Sequence, residues 1–85
     1  NNMTDEKKLK PNTKIRVGWY MDKYKKFGVR NGIFGKQGEE HKSFQEINKK
    51  GQPSIVFWDL LRERYTRANN YILTIIGDTD DISNS

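Results

Sequence analysis

The sequence predicts an α+β fold: three strands packed with two helices on one sheet face. Three observations predict it. Residues 13 to 21 alternate, with Ile15, Val17, Trp19 and Met21 on one side and Lys14, Arg16, Gly18 and Tyr20 on the other, the period-2 pattern of a half-buried strand. Residues 39 to 50 are rich in helix formers, with acids first and Lys49-Lys50 last, as the helix dipole prefers. Two β-branched and aromatic runs follow, Ile55-Val56-Phe57-Trp58 and Tyr71 to Ile76, which read as buried strands.

Taken in order, residues 1 to 12 are polar and charged, carry Pro11 and offer nothing to bury. They read as a flexible basic tail. The first strand's outer face is basic with one aromatic, Tyr20. Residues 22 to 34 support two readings. Asn31-Gly32 between Val29-Arg30 and Ile33-Phe34 is a local hairpin signal. The competing reading is a short helix with Tyr24, Phe27 and Arg30 on one side, although Gly28 and Gly32 make it a poor one.

Next comes Gly35-Lys36-Gln37-Gly38, which leads into the segment 39 to 50. There Phe44 and Ile47 share a helical face, and Gly51 and Pro53 supply the stop. Residues 54 to 67 also fit one long helix, with Phe57, Leu61, Tyr65 and Ala68 on a face, but the β-branched start favours a strand over 54 to 58. A loop or short helical turn would then run through Asn70, and the last strand would cover Tyr71 to Ile76. The domain therefore spans 13 to 77, and residues 78 to 85 read as an acidic tail or the start of a truncated helix.

The order of parts in Ile33-Phe34, Gly35-Lys36-Gln37-Gly38, Glu39, Lys42, Phe44, Gly51 and Ile55-Val56-Phe57 resembles the KH domain, a single-stranded RNA- or DNA-binding module. Tyr71 to Gly77 is similar to that family's last strand. The resemblance implies that residues 22 to 34 form the first helix, joined to the second by the Gly-x-x-Gly turn. It implies that Gly35, Lys36, Gln37 and Gly38 contact phosphate, as KH domains clamp about four nucleotides. Lys42 follows the tetrad in the same signature. The resemblance further implies an apolar floor of Ile33, Ile55 and Phe57, a wall carrying Arg30, and a variable loop with Arg62, Arg64 and Arg67. Each has a plainer reading, as core residue or solvated charge.

Charge points the same way. The chain carries a formal net charge of +5 and a pI near 9.6. From Lys7 to Lys36 there are ten Lys/Arg against one acid, Asp22. A basic half with interleaved aromatics is the footprint of a polyanion binder. The expected partner is single-stranded RNA, or else single-stranded DNA.

Enzyme chemistry is not expected. There is no Cys and a single His, so no thiolate nucleophile, triad or metal site is in view. Adjacent Glu39 and Glu40 would diverge on a helix. No cofactor motif is present, and no apolar run approaches a membrane span, so a soluble intracellular protein is expected. The rival class is a protein-interaction or dimerisation module with weak nucleic-acid binding, including a homodimer.

Overall fold

The computed structural model describes residues 8 to 78; the expectations for residues 1–7 and 79–85 lie outside them. The described residues form a curled antiparallel half-barrel of six strands: β1 (Thr13–Met21), β2 (Lys26–Phe34), β3 (Phe44–Ile47), β4 (Pro53–Asp59), β5 (Arg64–Asn69) and β6 (Ile72–Asp78). β1 pairs with β2 on one side and with β6 on the other. β4 takes β5 along one edge, while β2 and β3 share its opposite edge. β2 meets the end of β4 (Ile33 opposite Trp58) and β3 meets its start (Phe44 opposite Val56).

The α+β expectation is thus overturned. Among the described residues the helical content is a single 3₁₀ turn, Glu40–Lys42, and no pair of helices flanks the tetrad as a KH domain requires. The segment 39 to 50 misleads because its punctuation suits both readings. Asn48 to Gln52 is a hairpin tip in which Gly51 holds φ +77°, and a helix stop asks for the same residue. As a helix it would offer Phe44 and Ile47 alone to the core. As β3 it gains a full ladder with β4 instead.

Residues 22 to 34 are likewise not a helix. Asp22 to Lys25 form the hairpin tip, with the Lys25 amide donating to the Met21 carbonyl at 2.7 Å. Asn31-Gly32 lies inside β2, where Gly32 is needed for space. A Cβ there would run into the Phe57 ring and the Trp58 carbonyl. Residues 64 to 69, assigned to a loop, are β5, whose alternation (Tyr65 and Arg67 outward, Thr66 and Ala68 buried) is obscured by its polar composition.

The core lies inside the curl: Ile15, Val17, Trp19, Met21, Phe34, Ile55, Phe57, Ala68 and Tyr71. Trp19 and Phe57 meet edge to face with ring centroids 6.1 Å apart, a favoured aromatic geometry. Part of the expected tail also belongs to the domain. Leu9 packs against the core, its amide donating to Gln45 Oε1 at 3.2 Å, and the Asn12 amide donates to the Gly35 carbonyl at 2.8 Å. Among the described residues no helix is long and apolar enough to cross a membrane.

Candidate nucleic-acid interface

Strand alternation sends every second residue of β1 and β2 to the outside of the curl. On β1 these are Lys14, Arg16, Gly18 and Tyr20; on β2 they are Phe27, Val29, Asn31 and Ile33. The register places Tyr20 opposite Phe27, Gly18 opposite Val29, Arg16 opposite Asn31 and Lys14 opposite Ile33. Tyr20 and Phe27 are each 54% exposed. Arg16 Nε donates to Asn31 Oδ1 at 3.1 Å, which holds the guanidinium against the sheet. The eight outward positions hold two cations and no acid.

The same face continues onto β4 and β5, because Ile33 pairs with Trp58 and Trp58 with Tyr65. The rings of Trp58 and Tyr65 meet edge to face, centroids 5.1 Å apart. Lys36 Nζ stands 5.1 Å from the Trp58 centroid and Lys42 Nζ 5.7 Å from that of Tyr65, within cation–π range. Glu39 sits between them. It accepts from the Tyr65 hydroxyl at 2.7 Å and pairs with Lys42 at 3.4 Å and Lys36 at 3.9 Å. That hydroxyl, opposed by partial burial and aided by the two lysines, holds the Glu39 carboxyl below the usual carboxylate range. Burial and the Glu39 charge push the Tyr65 phenol up to about 12.

The residues singled out from sequence are dispersed by this fold. Ile55 and Phe57 are fully buried, so no base can lie on them. Arg30 points into the curl, its Nε 3.6 Å from the buried Asp59 carboxylate. Arg62 lies over the Tyr24 ring at 5.8 Å, and Arg64 opens β5 opposite Asp59, exposed. Arg67 lies on the outer face, 5.4 Å from the Phe44 centroid, and pairs with Glu46 at 2.8 Å. Ile33, Lys36 and Lys42 fall on the outer face described above.

The tetrad divides in two. Gly35 holds φ +71° and is buried against Pro11, whose Cα would lie 2.9 Å from an added Cβ, so its glycine is explained by packing. Gly38 also has positive φ but opens on free space. Gln37 is exposed beside it.

Sequence reasoning missed Phe27, Val29 and Asn31 as outward-facing residues of a strand. The signal was present: Phe27, Val29, Asn31 and Ile33 alternate with Gly28, Arg30, Gly32 and Phe34, yet assigning a helix there hid it. Among the described residues no group of three or more His, Cys, Asp or Glu could hold a metal ion. Compared with known proteins, the chain matches no family model, no curated protein and no solved structure.

Proposed function

We propose that the chain binds single-stranded nucleic acid, RNA or DNA, across the outward face of β1 and β2. The observation that carries this is the acid-free grid of Lys14, Arg16, Tyr20, Phe27, Val29, Asn31 and Ile33. Binding of single strands combines a positive track for the backbone with exposed aromatic rings on which bases stack. Tyr20 and Phe27 supply the rings, Arg16 and Lys14 the charge, and Asn31 a polar edge. Rigid strands hold all of them, so little ordering entropy opposes binding.

Fluorescence anisotropy of labelled ten-nucleotide oligo(U) and oligo(dT), repeated over a salt series, tests the reading. Binding is expected to weaken steeply with log[salt] and to fall about 5- to 150-fold in Phe27→Ala, the range for loss of one stacked base. Salt-independent binding, or unchanged affinity in the Tyr20→Ala/Phe27→Ala double variant, would remove the outer face from the function.

A second reading, self-association, is favoured by β6. Ile72, Ile75 and Ile76 are each about half exposed, and no charge interrupts residues 71 to 77 on this edge strand. Within β6 the charge-free run is Ile72 to Gly77, and such edges invite pairing with another chain. Sedimentation at rising protein concentration separates this reading from the first, since only self-association changes the sedimenting mass.

A further inference from the structure

At the end of the curl where β1 stops, a groove of about 600 Å³ opens between Trp19, Tyr20 and Asp22 on one side and the β3–β4 tip and the end of β5 on the other. That volume is within the usual range for small-molecule sites. Tyr20 belongs both to this groove and to the outer face, so a strand lying on β1 and β2 runs into it. The inference that follows rests on the nucleic-acid reading above.

The groove's chemistry is lopsided. On the tip, Asn48 Oδ1 accepts from the Lys50 and Gln52 amides at 2.9 and 3.0 Å, which fixes the turn. The Gln52 side-chain oxygen accepts from Asn48 Nδ2, so one of its acceptor positions is taken while its NH₂ can turn to a ligand. Asn69 is in the same position, because its Oδ1 accepts from Ser54 Oγ at 2.7 Å. Lys49 and Lys50 add cations. Asn70, held at φ +54° by its amide's 2.6 Å bond to the Pro53 carbonyl, closes this wall. With Arg67 also in the lining, this wall is richer in donors than in acceptors. The carboxylate of the groove's lining is Asp22, on the opposite wall.

A fitting ligand carries acceptors along one edge and donors along the other. Among the nucleobases guanine does this best. Its O6 and N7 accept, while N1–H and the N2 amino group present two parallel donors, the arrangement a carboxylate receives through both oxygens. Adenine, cytosine and uracil lack that paired donor edge. We infer that the groove is a guanine-nucleotide pocket, in which Asp22 takes the N1/N2 edge, the Gln52 and Asn69 amides take the acceptor edge, and Lys49 and Lys50 take the phosphate.

Backbone amide NMR with 5′-GMP, AMP, CMP and UMP, and separately with oligo(U), tests this. GMP is expected to shift residues 48–52, 69 and 70 with an apparent Kd about tenfold or more below those of the other three. Asp22→Asn, an exposed hairpin-tip change, should erase the preference while leaving a weak common response to the phosphate. Four equal responses, no response in these residues, or a preference that survives Asp22→Asn overturns the inference. Oligo(U) reports on the other reading through Arg16, Phe27 and Val29. Groove shifts with GMP and none on the face with oligo(U) would keep the pocket and discard the face. The converse would discard the pocket alone, and silence with both ligands would discard both.

Discussion

The ring of Phe27 covers Gly18: a Cβ built at Gly18 would stand 3.0 Å from both Cε2 and Cζ of that ring. The glycine lets an aromatic from the neighbouring strand lie against bare backbone, the arrangement by which an aromatic covers a glycine in paired strands. Gly18→Val is therefore expected to lift the ring and lower oligonucleotide affinity several-fold while the sheet still forms. Anisotropy beside a thermal melt checks this. Unchanged affinity would show that the ring's seat is irrelevant to binding.

Arg16→Gln and Lys14→Gln each remove one expected phosphate contact. Each should flatten the slope of log K against log[salt] by about 0.7 for a single strand and leave the melting temperature nearly unchanged. Arg30→Gln serves as the comparison, since Arg30 points into the curl and its loss should leave the slope alone.

Asp59 is fully buried and does several jobs at the β4–β5 turn. Its Oδ1 accepts from the Leu61 and Arg62 amides at 2.9 and 3.2 Å, and its Oδ2 accepts from Thr66 Oγ1 and faces Arg30. Asp59→Ala leaves the partly buried Arg30 guanidinium and the Thr66 hydroxyl without their partner and the turn uncapped. A loss of about 3–5 kcal/mol is expected, most of the stability of so small a domain. Urea denaturation measures it, and a loss below about 1 kcal/mol would contradict the assignment.

The Glu39–Tyr65 contact carries a pH signature. Glu39 titrates below its ordinary value of 4.5, so its stabilising contribution is full above that value and is lost as the pH falls through the lowered one. Tyr65 titrates near 12 rather than 10, so its contribution is full below pH 10 and is lost as the pH rises towards 12. The difference between wild-type and Tyr65→Phe phenolate absorbance should show this ionisation near pH 12. Glu39→Gln should bring it down.

Much of the sheet was legible in residues whose alternation is strong. The pattern over 13 to 21 matches β1 residue for residue, and Ile55 to Trp58 lies within β4. The outer side of β1 was readable too, since Lys14, Arg16 and Tyr20 fall opposite Ile15, Val17 and Trp19. What stayed hidden was β3 and β5, where polar residues such as Gln45, Glu46, Arg64 and Arg67 occupy strand positions. There the pairing partner, not local propensity, decides the conformation. β2 was obscured by its glycines. Gly28 and Gly32 weaken any local preference, and their reason for being there lies across the sheet, in Met21 and Phe57. The Gly35–Gly38 tetrad shows the same limit, because packing against Pro11 is not written in the four residues themselves.

The pairing of β1 with β6 joins the first of the described strands to the last, Val17 lying opposite Leu73. During synthesis β1 can zip to β2 as soon as residue 34 is available, but its other edge stays open until the chain has been made through β6. The hairpin must therefore wait for a closure spanning more than fifty residues. Contacts of that range make β proteins slow folders, in milliseconds to seconds. In that interval β6, without a charge from Ile72 to Gly77, is an unpaired strand competing for the free edge of β1, its own or a neighbour's. The interval before that closure, rather than the melting temperature, is then when this sheet is most open to mispairing.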